Sequence, residues 1–322
     1  MLAVRAREAG GPEVLEVVDI PKPTAGPEQI LVRHEAVGLN FIDTYQRSGL
    51  YPIRFPAVLG TEAAGKVEAV GEGVDGFKVG DAVAYAGVTG AYCEVHAIPA
   101  TRAIKLPAAV STRIAAAALL KGMTVEYLLR RCFPLQAGQS ILVHAAAGGV
   151  GTILIQWAKS IGAHVIGTVG SGGKAAIASS YGCDEVILYR REDVAERVRA
   201  LTGGEGVAVV YDSVGKDTFE ASLGALARRG TLVSFGNASG AVTAINPLIL
   251  MQRGSLFFTR PTLFDYTASR EDLEMSAGAL FAMLESGKVK IDIGQTFPLK
   301  DARAAHEALE SRATVGASLL IP

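Results

Sequence analysis

Small residues in one short loop carry the first chemistry this chain offers. Ala145-Ala146-Ala147-Gly148-Gly149-Val150-Gly151 follows the apolar run Ile141-Leu142-Val143-His144. After it, Val150, Ile153, Leu154, Trp157, Ala158 and Ile161 recur at helical spacing, and Gly162 supplies the stop. Strand, glycine loop and helix in that order make a cradle for a pyrophosphate. Glycines let backbone N–H groups come close to the phosphates, and the positive end of the helix macrodipole faces their charge. Against G-x-G-x-x-G the loop reads Ala146-x-Gly148-x-x-Gly151, with alanine in place of the first glycine. Such a run alone also describes a tight turn. The flanking strand and helix favour a dinucleotide site, with Ala147, Gly148, Gly149 and Val150 as expected phosphate contacts.

A site for NAD places a carboxylate about 20 residues beyond the glycines, on the ribose hydroxyls. That place falls on Thr168-Val169-Gly170-Ser171-Gly172-Gly173-Lys174, and no acid occurs before Asp184. The Ser171 hydroxyl, the Lys174 ammonium and the N–H groups of three glycines suit a 2′-phosphate instead, so the expected cofactor is NADP(H). The plain alternative for Lys174 is a solvated residue at a helix start. Tyr189 and Arg190, ending the next strand, offer an adenine face and a further donor.

The elements that must position these residues alternate regularly. Strands are expected at His164–Thr168, Glu185–Tyr189, Val207–Tyr211, Thr231–Phe235 and Ser255–Thr259 after the opening one. Helices are expected at Lys174–Tyr181, Asp193–Leu201, Thr218–Arg228 and Pro247–Gln252. Six buried strands with helical crossovers predict an α/β fold with a doubly wound parallel sheet. Residues 1 to about 106 are different: short strand-like runs broken by Gly and Pro suggest a small β-rich, barrel-like domain. Thr112 to Arg131 is helical in composition, and Lys121-Gly122-Met123-Thr124 is expected to interrupt it near the domain crossing. The last segment does not fit a seventh strand–helix unit and is expected to return to the first domain. The expected division is therefore 1–122, 123–262 and 263–322.

Bulk properties exclude several classes. The chain has 322 residues, 49% hydrophobic and 20% charged, as ordinary globular proteins do. With 31 basic against 32 acidic residues, the formal charge is −1, without the basic excess of a nucleic-acid or anionic-membrane binder. No apolar run approaches the ~18 residues of a membrane span, and the N-terminus lacks the apolar core of a signal peptide. Cys93, Cys132 and Cys183 are too few and too scattered for a disulfide framework or a paired metal cluster. A reducing cytoplasm is the expected compartment. No G-x-S-x-G elbow points to a hydrolase. His144, in a buried strand, is expected to be a hydrogen-bonded core residue.

The run Gly138-Gln139-x-x-Leu142-x-x-x-Ala146-Ala147-Gly148-Gly149-x-Gly151-x-x-x-x-Gln156-x-x-Lys159 resembles the signature of zinc-free quinone oxidoreductases. These form the zeta-crystallin-like branch of the medium-chain dehydrogenase/reductases. Gly38-Leu39-Asn40-Phe41-Ile42-Asp43-Thr44-Tyr45, Leu59-Gly60-Thr61-Glu62 and Tyr211-Asp212-Ser213-Val214-Gly215 are similar to bacterial members, so the likeness runs through the whole chain. The resemblance implies a GroES-like catalytic domain beside the Rossmann domain, NADPH as reductant and a small quinone as acceptor. Zinc enzymes of this fold hold the metal with a cysteine, a histidine and an acid; Asn40 and Thr61 would stand for the first two, leaving Glu62.

Without a Lewis acid, a suitable acceptor is conjugated, so that charge delocalises after hydride addition; quinones and α,β-unsaturated carbonyls both qualify. The resemblance implies that Asn40, Asp43, Tyr45 and Tyr51 line the acceptor side. Lys121 and Thr124 would lie at the nicotinamide, and Tyr127 at a phosphate or the adenosine. Ser213, Phe235, Gly236 and Asn237 follow the fourth and fifth strands, at the carboxyl edge where open sheets bind ligands. Phe258 and Arg260 end the sixth strand, and Arg312 is an expected phosphate contact. Ordinary packing is the plain reading of the two tyrosines, solvation that of Lys121 and a surface ion pair that of Arg312. Glu62 is expected to be a relic of the zinc-type site, paired internally. Two alternatives accompany quinone reduction: an alkenal or enone reductase, and AU-rich RNA binding through the dinucleotide domain. The apolar sixth strand, as a sheet edge, suggests a homodimer.

Overall fold

The computed structural model describes residues 1–322. Two compact units emerge: Met1–Lys121 with Thr267–Glu285 and Ile291–Pro322, and Gly122–Tyr266 with Ser286–Lys290.

The second unit is a six-stranded parallel sheet. Its strands lie side by side as Glu185–Leu188, His164–Val169, Ser140–Val143, Val207–Asp212, Leu226–Ser234 and Phe257–Thr259. In chain order that arrangement is 3-2-1-4-5-6, so the direction of winding reverses between Ser140–Val143 and Val207–Asp212. At such a reversal the loops leave the carboxyl edge in opposite directions and open a crevice for a dinucleotide. Ile141, Leu142, Val165, Ile166, Val209 and Val210 are fully buried, as strands covered by helices on both faces require. The doubly wound expectation holds.

Two local expectations do not hold. The helix foreseen at Thr218–Arg228 covers only Phe219–Ala225, and the strand foreseen from Thr231 begins at Leu226. Leu226 is drawn into register opposite Val207, and tertiary pairing overrides the helical composition of Leu226-Ala227-Arg228. Nor is there an interruption at Lys121–Thr124: Thr112–Tyr127 is one α-helix, continued by a π-helical turn at Leu128–Cys132. Gly122 costs a helix only about 1 kcal/mol relative to alanine, and burial of Leu119, Met123 and Val125 outweighs it.

The first unit is β-rich. Its larger sheet runs Ile293–Pro298, Ala317–Ile321, Gln29–Leu39, Glu62–Val70, Ala82–Ala86 and Ala103–Lys105, with Val95–Pro99 also paired to Gln29–Leu39. A second sheet joins Leu15–Asp19, Leu2–Ala6 and Ala57–Val58. The central antiparallel pair, Gln29–Leu39 with Glu62–Val70, contains two bulges on opposite strands. Glu68 is the extra residue at one, between Leu31 and Val32 of the facing strand, and Glu35 is the extra residue at the other. Gly65 faces this region so closely that a Cβ there would lie 1.8 Å from the Arg33 carbonyl oxygen.

Buried histidines fix proton positions inside this unit. His34 Nδ1 lies 2.7 Å from the Cys93 carbonyl and therefore donates, which leaves Nε2 to accept from the Tyr85 hydroxyl at 2.9 Å. Tyr85 in turn accepts from His96 Nδ1 at 3.0 Å. Burial pushes both imidazoles down to about 4, so they are neutral at pH 7.

Candidate functional site

The glycine loop is shaped by backbone contacts that only glycine permits. Gly148 caps the Gly149–Ile161 helix in an extended conformation. A Cβ on Gly151 would lie 2.5 Å from the Ala145 carbonyl oxygen and 2.7 Å from that of Ala146, so this glycine lets the helix start against the loop. Ala147 is buried, while Gly148, Gly149 and Val150 are partly exposed at the helix start, where N–H groups lack intrahelical partners.

Ser171 caps the next helix, Gly172–Ser180: its hydroxyl oxygen accepts from the Lys174 backbone N–H at 3.4 Å, and its own proton remains for a ligand. Gly172 and Gly173 border open space, with nothing within 4 Å of a Cβ built on either. Gly170 is closed over instead. A Cβ there would meet the Tyr189 hydroxyl at 2.8 Å and Arg190 Nε at 3.5 Å. Ser171 and the backbone of Lys174 thus open the helix on one side of this loop, and Tyr189 and Arg190 close over Gly170 on the other.

The opposite side of the edge is drawn together by Asp212. Its Oδ1 accepts from the N–H groups of Val214 and Gly215, and its Oδ2 from the Thr218 and Ser222 hydroxyls, all at 2.7–3.0 Å. Ser222 accepts from His144 Nε2 at 3.0 Å, and Thr168 donates to His144 Nδ1 at 2.9 Å. The chain Thr168–His144–Ser222–Asp212 ties the ends of three strands. Although it contains a serine, a histidine and an aspartate, the aspartate holds the serine rather than the imidazole, and all are buried, so it is no nucleophilic triad. His144 is a core residue, as expected. Beyond Asp212, the Ser213 and Gly236 loops touch: a Cβ on Gly236 would lie 2.4 Å from the Ser213 carbonyl oxygen. Phe235 and Asn237, beside Gly236, are partly exposed.

Other expected contacts divide between packing and the surface. Tyr127 is buried and stacks on Tyr266 with centroids 4.4 Å apart. Phe258 meets Phe219 edge-on at 6.2 Å, and Arg260 is exposed. Thr124, also in the second unit, is buried. Arg312 lies in the first unit, exposed, with φ of 60°.

In the first unit, Asn40 caps the Phe41–Ser48 helix, and its N–H donates to Asp43 Oδ2 at 2.9 Å. That helix presents Tyr45, which meets Tyr51 edge-to-face at 5.2 Å. The Asn40 amide donates to Glu62 Oε2 at 2.8 Å, and the Lys121 ammonium reaches the same oxygen at 3.1 Å. Glu62 is therefore paired internally. Asp43 accepts further bonds from the Thr61 hydroxyl and the Tyr92 hydroxyl, both at 3.0 Å. Burial nevertheless raises its carboxyl to about 7. The line continues from Tyr92 to His306 Nε2, then from His306 Nδ1 to Arg47, which grips Glu310 with two N–H groups. His306, buried and beside that cation, is pushed down to about 3. Tyr92, His306 and Arg47 lie outside the residues that sequence motifs single out. Sequence separations beyond 200 residues join them, and no local pattern could.

Comparison with known proteins agrees with this geometry. Residues 26–108 match the alcohol dehydrogenase GroES-like domain, and 149–277 match the zinc-binding dehydrogenase family. A quinone oxidoreductase of Salmonella typhimurium is 55% identical over 317 residues, 97% of each chain. A 2-haloacrylate reductase of a Burkholderia species is 42% identical, covering 100% of this chain and 99% of its own. The crystal structure of Escherichia coli quinone oxidoreductase complexed with NADPH superposes with a TM-score of 0.98 at 53% identity, covering both chains fully. The zinc in one family name finds no fit here. Asn40 offers Glu62 an N–H, Thr61 offers Asp43 an O–H, and a lysine ammonium sits on the carboxylate, where a metal needs lone pairs. With both halves of the fold matched and relatives of this identity spanning nearly the whole length, the chain belongs to the quinone oxidoreductase family of the medium-chain dehydrogenase/reductases.

Proposed function

We propose that the chain reduces quinones with NADPH, by hydride transfer to a flat conjugated acceptor and without a metal. The observation that carries the cofactor is the Gly170–Lys174 loop, which has Ser171 and Lys174 where an NAD site would present an acid, with Arg190 closing over Gly170. The glycine loop and its helix would hold the pyrophosphate, and Ser213, Phe235, Gly236 and Asn237 would border the rest of the dinucleotide. NADPH, once bound, supplies the hydride. The first unit receives the acceptor: the Tyr45–Tyr51 pair offers aromatic surface to a planar ring and Asn40 donates a hydrogen bond to its oxygen, while Lys121, expected at the nicotinamide, shares a Glu62 oxygen with Asn40 and so serves the acceptor oxygen as a second donor. Thr124, Tyr127, Phe258, Arg260 and Arg312 complete the proposed nucleotide contacts.

Lys174→Ala tests the assignment. A hydrogen bond to a charged group is worth about 1.5–3 kcal/mol, so KM for NADPH is expected to rise roughly 10- to 100-fold. KM for NADH should barely move, and the wild type should prefer NADPH. Equal use of both nucleotides by the wild type would sink the reading. The relative that reduces 2-haloacrylate favours one second reading, enal or enone reduction. Faster turnover of a 2-alkenal than of a naphthoquinone would put that reading first.

We also infer a homodimer in a reducing cytoplasm. Phe257–Thr259 is a sheet edge, and Leu248, Met251 and Phe257 beside it are each more than half exposed. Phe257→Asp is expected to elute as a monomer in size-exclusion chromatography where the wild type elutes as a dimer; a wild-type monomer would remove the inference. The three cysteines are free, and burial pushes the Cys93 and Cys183 thiols up to about 12, which suits unreactive thiols in a reducing compartment.

A further inference from the structure

Glu62 is fully buried, and its two oxygens gather three donors. Oε1 accepts from the Leu120 backbone N–H at 2.7 Å, and Oε2 accepts from Asn40 Nδ2 and Lys121 Nζ together. Room for the carboxylate comes from Gly38, where a Cβ would lie 2.2 Å from Oε2 and 2.4 Å from the Ala116 carbonyl oxygen. An ion pair in an interior is costly to desolvate, and well-packed apolar residues often serve stability as well. Packing alone therefore gives no reason for this arrangement.

We propose that Glu62 is a positioning residue for quinone reduction: by anchoring Asn40 and Lys121 on one oxygen, it turns them into a single two-donor cradle for the acceptor oxygen on which negative charge develops. The inference rests on the assignment of Asn40 and Lys121 to the acceptor side. A carboxamide has two N–H groups and an ammonium three, so each keeps donors after binding Glu62. Their common anchor brings those donors together and restrains the lysine, whose free rotamers would otherwise have to be ordered during the reaction.

Steady-state quinone reduction tests this with Glu62→Gln, Lys121→Met and Asn40→Ala, singly and in pairs. Glu62→Gln is expected to lower kcat about 10- to 100-fold, as loss of an oriented charge-stabilising donor does, with KM for NADPH within about twofold. In the Lys121→Met background the Gln substitution should lower kcat less than it does in the wild type. A folded Glu62→Gln enzyme with undiminished kcat overturns the proposal. Should that variant not fold, Asn40→Ala with Lys121→Met decides: a combined loss smaller than the product of the single losses supports one cradle, and a multiplicative loss overturns it. Full turnover by Lys121→Met would instead remove the underlying site assignment.

Discussion

Gly151→Ala is expected to weaken NADPH binding about 10- to 100-fold while leaving the first unit folded. The added carbon would sit 2.5 Å from one carbonyl oxygen and 2.7 Å from another, both main-chain atoms that cannot rotate aside. Ala145 already holds a φ of 53°, unusual for a residue with a Cβ, so the loop has little slack in which to yield. Overpacking of this kind costs about 1–3 kcal/mol. Here the cost falls on the segment whose N–H groups must face the phosphates. Gly278→Ala is the matching control, since a Cβ there meets nothing within 4 Å in the Arg270–Glu285 helix. Fluorescence titration with NADPH separates the two, and equal affinity for both variants would refute the account.

Asp212→Ala should destabilise the second unit by about 3–5 kcal/mol, the range for breaking a buried charged network. Asp212 is 2% exposed, and its removal orphans two backbone N–H groups, takes the acceptor from the Ser222 hydroxyl and leaves the Thr218 hydroxyl only the Gly215 carbonyl. Because Ser222 also orients His144, the loss spreads to Thr168 and loosens three strand ends at the nucleotide edge. Asp212→Asn keeps an acceptor for the two N–H groups and is expected to lose about half as much. Urea denaturation followed by circular dichroism reads both variants. A loss below about 1 kcal/mol for the alanine variant would mean that water replaces the carboxylate and the network is not structural.

The second unit is the more legible half of the sequence, for a physical reason. Its strands are buried on both faces and read as unbroken apolar runs, and its helices carry a regular stripe, so element type follows from composition. Where the reading fails, at Leu226-Ala227-Arg228 and Gly122, a distant partner or burial outvotes local propensity. The acceptor side is legible as residue types but not as connections. Asn40, Glu62 and Lys121 can be singled out one by one, yet nothing in the sequence says that a single carboxylate oxygen joins them across 22 and 59 residues. The line from Asp43 to Glu310 is hidden for the same reason. Asp212 is a partial exception, since an aspartate closing a strand before Ser-Val-Gly signals a turn stabilised by its own side chain.

The two bulges in the central strand pair of the first unit act as a slip and its correction. Glu68 throws the pairing out of phase by one residue, and Glu35, on the other strand, restores it before the chain reaches Leu39 and Glu62. Deleting either residue alone would leave the far end half a pleat out of step and turn Asn40 and Glu62 toward opposite faces. The acceptor side thus depends on a pair of insertions that must be gained or lost together.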